Sequence, residues 1–468
     1  MLIEVHNSIS YIRNGNLPVH LYSIFNFMLK SDAYSASRIP NLPSKKKSIF
    51  FPKQNAFLTG ALSLLLKKYP CEVVDHRIRP DIDISAIKAP SWLRSHQADA
   101  FNRMLDVERG IVHHTTASGK TYLCAAWVDT VPCKHLVLVR GKEIMEQFIA
   151  RFDDVLGADN YDLIWGKKTR INNNRITLAM IQSFAPKLAR HEISVDDYES
   201  IIADEGHHIG WQSQYTPVFF LANRALFRFS LTGTPNRELG DQIAHIGMVG
   251  PICHKYTYQD ALADGLVTPV HVFYVELPYC PVRSMPLEPY HEFYSESIIK
   301  NNVRNEIIAN IAVLNVVSNN STLVICNEII HEEIVLDLII KKLKEKGMSN
   351  SKVNRSVALV HSKDKERKQK KLDFEQGIIR CLVGSTLYDE GIDIHRIQTI
   401  IAAGGGKSER VVKQRVGRGQ RLGENKDVVM VFDFNDSFTK KTAQHAKIRL
   451  KYYLDEKYEV EGVKVPPI

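Results

Sequence analysis

The chain has 468 residues and a formal net charge of +9, so it is too long for a single hydrophobic core and suggests two to four domains. No run approaches the ~18 uninterrupted apolar residues of a membrane span, and the N-terminus lacks the basic-then-apolar order of a signal peptide. Seven cysteines without a Cys-x-x-Cys pair argue against a disulfide framework and a zinc site. We therefore expect an intracellular protein whose excess positive charge suits a polyanionic partner.

Residues 1–80 predict a small N-terminal α+β domain. Leu2–His6 alternates like a strand, and Ser48–Lys53 reads as a second strand beside positive charge. His20–Leu29 and Leu58–Tyr69 have the pattern of amphipathic helices. Two prolines and the lack of a clear period in residues 77–90 indicate a linker.

The N-terminal lysine run is a candidate nucleic-acid contact. Lys45, Lys46 and Lys47 precede the aromatic pair Phe50 and Phe51. Lysines bind backbone phosphates and aromatic rings stack on bases, so this pattern suits a nucleic-acid grip. A solvated lysine loop beside core aromatics explains the same residues equally well.

From residue 89 onward, short apolar runs alternate with helical stretches, and the pattern begins again after Val267–Pro269. Continuous rather than alternating apolar strands predict parallel sheets covered by helices on both faces. The predicted strands are His135–Val139, Ile176–Met180, Ile201–Ala203, Leu226–Leu231, Val270–Val275, Thr322–Cys326, Val357–Val360, Arg380–Val383, Thr399–Ala402 and Val428–Phe432. We expect two tandem α/β lobes, over residues 89–265 and 266–455.

The segment Gly110–Thr121 has the order strand, small-residue turn and helix that forms a phosphate cradle. Lys120 supplies a charge for the β- and γ-phosphates, and the Thr121 hydroxyl can ligate Mg²⁺. His114 stands where the phosphate-loop pattern has its first glycine. Because an ordinary strand-to-helix turn uses the same small residues, motifs elsewhere must decide. The loop residues expected to bind nucleotide are Thr116, Ala117, Ser118, Gly119, Lys120 and Thr121.

A pair of carboxylates, Asp204 and Glu205, directly follows the apolar strand Ile201–Ala203. The end of a parallel strand beside a phosphate loop is where Mg²⁺ must be held. Asp204 would hold the ion through water, and Glu205 would act as general base toward the attacking water. A helix-capping turn is the alternative, and the upstream phosphate loop favours the catalytic interpretation.

The order of motifs over roughly residues 90–455 resembles the superfamily 2 helicases, in particular their DExH group. The matching segments are Leu93–Gln97 (the Q-type motif), Thr115–Thr121 (motif I), Leu136–Gln147 (motif Ia), Gln182–Ser183, Asp204–His207 (motif II), Thr232–Pro235 (motif III), Leu323–Asn327 (motif IV), Gly384–Thr386 with Glu390–Asp393 (motif V), and Gln414–Arg421 (motif VI). The resemblance implies two RecA-like lobes that use ATP and Mg²⁺. Beyond His114, the sequence departs from the family pattern at Arg140–Lys142 in motif Ia and at Met180.

The resemblance also assigns roles to residues. It implies catalytic roles for Lys120, Asp204, Glu205, His207, Gln414, Arg418 and Arg421, with Thr121 and Asp204 at the metal. It implies nucleotide contacts from Arg94, Gln97, Gly391 and Asp393 besides the phosphate loop. It implies nucleic-acid contacts from Arg140, Lys142, Gln182, Ser183, Asn327, Ser385 and Thr386. His207 is expected to hydrogen-bond between motifs.

The pair Arg418 and Arg421 has the spacing of two residues on one helix face. ATP hydrolysis needs charge stabilisation as the γ-phosphoryl group leaves, and a guanidinium from outside the phosphate loop supplies it. By resemblance, these arginines reach the nucleotide from the second lobe, so the site is complete only when the lobes close. A merely basic helix face would leave Gln414 and Gly417 unexplained.

Within the superfamily, Ala263–Pro269 and Arg304-Asn305 resemble the branch that holds UvsW-like phage branch-migration helicases, XPB-type translocases and restriction-type translocases. The resemblance implies an ATP-dependent DNA helicase or translocase that remodels forks or Holliday junctions in replication, recombination or repair. Its expected setting is a monomer in the cytoplasm of a bacterial or phage-infected cell, where other replication or recombination proteins are candidate partners. Two alternatives stay open: an RNA helicase, and a non-catalytic nucleic-acid-binding protein with a structural nucleotide site.

Overall fold

The computed structural model describes residues 1–28, 47–234, 240–277, 292, 294–361, 364–384, 394–407, 409–423 and 426–464. The chain divides into two compact units, residues 1–256 and 257–468. Across the described residues, no helix has the length and apolarity that crossing a membrane requires.

The N-terminal part of the first unit is a small mixed sheet in the order β5-β6-β2-β1-β7, beside a separate antiparallel pair of strands, β3 and β4. Its strands are β1 Leu2–Val5, β2 Ile9–Arg13, β3 Asn26–Phe27, β4 Lys47–Ser48, β5 Phe50–Phe51, β6 Ala56–Leu58 and β7 Glu72–Asp75. Its helices are the 3₁₀ turns Val19–Ile24 and Thr59–Ala61 and the short α1 Leu62–Leu66.

Two helix predictions in this region need correction. Of the predicted helix His20–Leu29, the described residues 20–28 form a 3₁₀ turn and then β3, because Phe25 and Phe27 both enter the core with the two-residue period of a strand. The second predicted helix, over Leu58–Tyr69, is shortened to the 3₁₀ turn Thr59–Ala61 and α1.

The rest of the first unit is a seven-stranded parallel sheet in the order β10-β11-β9-β12-β13-β8-β14. Its strands are β8 Arg109–His114, β9 His135–Val139, β10 Asp162–Ile164, β11 Ile176–Met180, β12 Ser200–Asp204, β13 Phe227–Thr232 and β14 Ile252–Tyr256. Its helices are α2 Ser95–Val107, α3 Lys120–Thr130, α4 Lys142–Leu156, α5 Ile181–Ala189, α6 Tyr215–Leu221 and α7 Gln242–Val249. The central strands are buried throughout, as the continuous apolar runs predict.

The N-terminal sheet shares a hydrophobic core with one face of this parallel sheet. A single cluster of buried side chains runs from Ile3, Phe25 and Phe57 to Ile111 and Ile201. A second cluster, centred on Trp127, fills the opposite face. The first parallel sheet is therefore covered on one side partly by the N-terminal residues.

The second unit holds another seven-stranded parallel sheet, in the order β17-β18-β16-β19-β20-β15-β21. Its strands are β15 Val270–Glu276, β16 Thr322–Ile325, β17 Val357–Leu359, β18 Cys381–Gly384, β19 Thr399–Ile401, β20 Val429–Asn435 and β21 Glu459–Lys464. Its helices are α8 Tyr258–Ala263, a π-helical turn Ser295–Ile299, α9 Asn302–Val317, α10 Ile329–Glu345, α11 Asn350–Ser356, α12 Arg367–Glu375, α13 Glu409–Gly419 and α14 Lys440–Asp455. The fold is thus two parallel-sheet RecA-like lobes plus a small N-terminal α+β region, as predicted.

Candidate active site

The phosphate loop joins β8 to α3. Ala117 has φ 65° and Gly119 has φ 78°, so the backbone turns sharply just before the helix begins at Lys120. The Lys120 ammonium donates to the carbonyls of His114 and Thr115, at 3.2 and 3.1 Å. The loop therefore holds its lysine over an open helix N-terminus, and an anion there would receive both the charge and the helix dipole.

The side chain of Gln97 holds the loop from α2. Its amide nitrogen donates to the carbonyls of Ser118 and Gly119, both at 3.1 Å, and its oxygen accepts from the Arg94 backbone at 3.0 Å. His96 adds a bond to the Ser118 carbonyl at 2.9 Å. A Cβ on Gly119 would lie 2.4 Å from the Gln97 amide nitrogen, so a larger residue would displace Gln97 as well as strain the left-handed backbone.

The departure at His114 has a structural explanation. The His114 ring is fully buried and lies 2.8 Å from the His254 ring nitrogen, while His96 stacks on Tyr256 at 3.9 Å. Burial lowers the pKa of His114 to about 2, and the neighbouring His254 adds to this effect. A neutral ring thus fills the space between β8 and β14 and leaves the loop backbone in place.

The carboxylates of motif II lie at the carboxyl end of β12. Asp204 is buried, and that burial together with Glu205 raises its pKa, while the nearby Lys120 ammonium opposes the rise. Burial also acts to raise the pKa of Glu205, but the hydrogen bond from His207 and the charges of His207 and Lys120 outweigh it, so the net direction is down. An ionised Glu205 beside a buried Asp204 suits a base next to a cation ligand.

His207 links motif II to motif III, as expected from the sequence. Its Nδ1 lies 3.1 Å from Glu205 Oε2 and 3.3 and 3.4 Å from the hydroxyls of Thr232 and Thr234. Thr232 in turn accepts from the Thr234 backbone at 3.1 Å. The carboxylate of Glu205 is therefore connected through one imidazole to the turn that follows β13.

The donor set suits a nucleotide triphosphate with a divalent cation. Lys120 and the α3 N-terminus supply positive charge, and the Thr121 hydroxyl and Asp204 supply the hard oxygen atoms that Mg²⁺ prefers. No cluster of three or more histidine, cysteine or acidic side chains that could bind a metal by itself occurs in the described part of the chain. A cation here would therefore complete its coordination with phosphate and water, which is usual for Mg²⁺.

Four predicted nucleic-acid residues lie at the carboxyl edge of the same sheet. Arg140 and Lys142 follow β9, and Gln182 and Ser183 begin α5 after β11. Arg140 lies 2.9 Å from the His208 ring, and Ser183 Oγ accepts from the Gly166 backbone at 3.0 Å.

Sequence reasoning missed an aromatic group beside the phosphate loop. The exposed rings of Trp92 and Tyr122 meet edge to face at 6.4 Å, and the Arg151 guanidinium covers Tyr122 at 3.6 Å. Tyr122 directly follows the metal-ligand candidate Thr121, which is the signal that could have drawn attention to it.

In the second unit, motif VI lies on α13, and one expectation about it is wrong. The helix ends at Gly419, so Arg418 is in its last turn whereas Arg421 follows it. A Cβ on Gly419 would lie 2.6 Å from Val429 Cγ1. After the helix ends, the backbone carbonyls of Gln420 and Arg421 accept hydrogen bonds from Thr268 at 2.7 and 3.2 Å. Burial lowers the pKa of Arg421 to about 10, so the guanidinium stays charged near neutral pH.

Asn327 of motif IV belongs to the same unit. Its oxygen accepts from Arg415 at 2.7 Å, and its amide nitrogen donates to the Gly404 carbonyl at 2.7 Å.

Lys47 is in β4. Other predicted site residues lie outside the described residues, namely Lys45, Lys46, Ser385, Thr386, Gly391, Asp393, Pro235 and the side chain of Gln414.

Two family models match the chain. The model for the Type III restriction enzyme res subunit matches residues 91–237, and the Helicase conserved C-terminal domain matches residues 303–423. These two ranges contain motifs I–III and IV–VI respectively.

Known proteins resemble the chain at low identity. DNA 3'-5' translocase XPB2 of Sulfurisphaera tokodaii is 24% identical over 369 residues, which are 74% of this chain and 82% of that protein. ATP-dependent DNA helicase uvsW of Enterobacteria phage T4 is 23% identical over 394 residues, 79% of this chain and 76% of that protein. The structure of a fragment of a putative type I restriction HsdR subunit from Vibrio vulnificus shares the fold, with a TM-score of 0.62 and 19% identity over 90% of this chain and 76% of that one. These matches and the geometry of the motifs identify the chain as a superfamily 2 helicase, which is an ATP-dependent enzyme, and relate it to UvsW.

Proposed function

We propose that the protein is an ATP- and Mg²⁺-dependent DNA helicase or translocase that remodels branched DNA such as forks and Holliday junctions. The observation that carries the proposal is the chain of contacts from Glu205 through His207 to Thr232 and Thr234. These contacts connect the nucleotide site to the turn that follows β13. The similarity to a DNA translocase and a DNA helicase supports DNA as the substrate.

The roles of the first lobe follow from its chemistry. Lys120 would neutralise the β- and γ-phosphates, and Thr121 and Asp204 would hold Mg²⁺, which would supply positive charge to the transferring phosphoryl group. Glu205 orients and deprotonates the attacking water, and His207 keeps that carboxylate ionised and in place. Gln97, with Arg94, fixes the loop beside the adenine position.

The second lobe contributes positive charge during hydrolysis. Arg418 and Arg421 stabilise the charge that develops as the γ-phosphoryl group leaves, and Gln414 assists them. Because the two arginines belong to the second unit, hydrolysis requires the lobes to close. Each ATP cycle then alternates a closed and an open state.

Nucleic acid crosses the carboxyl edges of the sheets. In the first lobe Arg140, Lys142, Gln182 and Ser183 contact backbone phosphates. Phosphate contacts carry little base information, so the motor has weak sequence preference. The protein acts as a monomer where the DNA is located, in the cytoplasm of a bacterial or phage-infected cell.

The first test compares wild type with Lys120→Ala and Glu205→Gln on duplex, forked, Holliday-junction and RNA substrates at stated salt. We expect each variant to lose at least about 100-fold in ATP hydrolysis, since each removes a group that acts on the reacting phosphate. DNA binding should remain, because neither side chain lies among the proposed backbone contacts. Measurement is by phosphate release and by fluorescence anisotropy.

The outcomes separate the alternatives. Stimulation of wild-type hydrolysis by forks above duplex supports the proposal, whereas stimulation by RNA alone would assign the motor to RNA. Hydrolysis that survives Lys120→Ala would refute the assignment of the site. A wild-type protein that binds DNA without any hydrolysis would instead be a non-catalytic binding protein.

A further inference from the structure

A cleft of about 250 Å³ opens within the first unit, between the N-terminal sheet and the first parallel lobe. We call it the junction cleft. It is lined by His6, Asn7, Ile9, Tyr11, His76, Ile78 and Asn223. No carboxylate is among these residues, and three of the seven are aromatic rings.

The rings of the junction cleft form a stacking surface. His6 and His76 lie nearly parallel, with centroids 5.4 Å apart and planes 21° from each other. Tyr11 meets His6 edge to face at 5.6 Å. His76 is exposed while His6 and Tyr11 are half-buried, so flat ring surface remains accessible at the mouth. A planar aromatic ligand suits such a surface better than an aliphatic one.

The polar wall of the cleft is held rigidly. Asn7, only 2% exposed, donates to the carbonyls of Ile78 and Arg224 at 3.0 and 3.2 Å. Its oxygen accepts from the Ile78 backbone at 2.7 Å. At the rim, the exposed side-chain amide of Asn223 has no protein partner among the described residues, so it offers one donor and one acceptor group to a ligand.

Four arginines adjoin the lining residues of the cleft. Arg224 is exposed and makes no ion pair with any described residue. Arg109, 9% exposed, donates to the Asn7 carbonyl at 3.1 Å, and its Nε and Nη1 have no partner in the described structure. Arg77 and Arg79 share the carboxylates of Asp75 and Glu108. Asp75 and Glu108 neutralise Arg77 and Arg79, and Arg109 is buried, so Arg224 is the arginine of these four that is open to a ligand phosphate.

We propose that the junction cleft binds one unstacked nucleobase of the nucleic acid on which the motor acts. The base stacks on the His6–His76 pair, Asn223 hydrogen-bonds its edge, and Arg224 contacts the adjoining phosphate. The volume lies below the range of about 300–1,000 Å³ typical of drug-sized ligands, so the cleft suits a single base rather than a base pair. Unpaired bases of this kind occur in single strands and at branch points. This inference rests on the proposed function.

The test measures binding of forked DNA, with and without abasic sites in its single-stranded arms, to full-length variants. Removing a stacking ring costs roughly 5- to 100-fold in affinity, so we expect that loss in His76→Ala. Tyr11→Ala removes the ring that meets His6 edge to face rather than a stacking ring, so its loss should be smaller. His76→Phe should restore most of the affinity, because it keeps a ring. The matched control is His20→Ala, an exposed histidine of the same sheet region that does not line the cleft. ATP hydrolysis without DNA should be unchanged in all four.

Wild type should bind the abasic fork more weakly than the intact one, and His76→Ala should bind the two alike. Equal affinities of His76→Ala and His20→Ala for intact forks would overturn the inference while leaving the motor assignment untouched. If wild type binds no nucleic acid at all, the proposed function itself fails. Binding of uridine monophosphate alone that His76→Ala abolishes, without any abasic effect, would assign the cleft to a free nucleotide and overturn the proposal.

Discussion

In the turn between β8 and α3, Gly119 has no Cβ, which allows the phosphate loop to approach α2 closely. Gly119 has a positive φ of 78°, and a Cβ added at this position would lie 2.4 Å from the side-chain amide nitrogen of Gln97. The same amide holds two loop carbonyls. Loop shape and the position of Gln97 therefore depend on one residue.

Gly119→Ala should reduce ATP affinity and hydrolysis by more than tenfold. The added Cβ strains the left-handed backbone by about 1–2 kcal/mol and also displaces Gln97 from the loop. The matched control is Gly347→Ala, at φ 82° with no atom within 4 Å of its Cβ, which carries the strain alone. Nucleotide titration and steady-state hydrolysis measure the effect. Equal losses in both variants would show that backbone strain, rather than the contact with Gln97, is responsible.

Among elements, α10 contains a titratable group that the catalytic site does not use. His331 is fully buried, and its Nε2 lies 2.9 Å from the Asn305 side-chain oxygen. Burial lowers its pKa to about 3, and the nearby Arg304 adds to the effect. Its Nδ1 has no partner in the described structure, which suits a neutral ring.

The second unit should therefore lose stability in acid, in part through His331. The unfolded chain takes up a proton below about pH 6.5 and the folded chain does not, so this contribution is complete above pH 6.5 and is lost as the pH falls toward 3. One such group changes the free energy of unfolding by about 1.4 kcal/mol per pH unit in that window. His331→Gln keeps a donor for Asn305 and should flatten the pH dependence by that amount, as denaturant unfolding from pH 7 to 4.5 would measure. An unchanged slope would contradict a neutral His331.

How far the sequence predicts each element depends on where its neighbours lie. Central strands such as β9 and β12 are buried on both faces, so their apolar runs identify them directly. The edge strands β7 and β21 expose most of their residues, and β14 fully buries only Tyr256. The strands β7, β21 and β14 form by pairing with β1, β15 and β8 respectively, which the local pattern does not show.

The site shows the same limit. The positions of Lys120 at the start of α3 and of Asp204 and Glu205 at the carboxyl end of β12 were predictable, because short motifs mark them in the sequence. The role of Gln97 as a brace of the phosphate loop was not, since its partners are backbone carbonyls 21 and 22 residues away. The end of α13 before Arg421 was also missed, because it follows from close packing of Gly419 on Val429.

On the scale of the whole molecule, hydrogen bonds connect the N-terminal region to the amino ends of two strands of the first parallel sheet, β13 and β8. Arg228 of β13 is 1% exposed and donates to Ser8 Oγ at 2.7 Å and to the Phe219 carbonyl at 2.8 Å. Arg109 at the start of β8 donates to the Asn7 carbonyl. The carboxyl ends of these strands lead to motifs I and III, so ligand contacts near Asn7 adjoin the strands that position the nucleotide site.

The N-terminal region and α7 are in close backbone contact at Gly60. A Cβ there would lie 2.1 Å from the Ile246 carbonyl oxygen and 2.7 Å from the Gly250 nitrogen, and backbone atoms of α7 cannot yield as a side chain would. Gly60→Ala should therefore push the N-terminal sheet off α7, at a cost of at least about 1–3 kcal/mol. Hydrogen exchange should show lost protection in β1, β6 and α7, with β16 and β19 of the second unit unchanged. Gly462→Ala, with no atom within 4 Å, is the matched control. Unaltered exchange in α7 would mean that the shared core does not hold the N-terminal sheet against the motor.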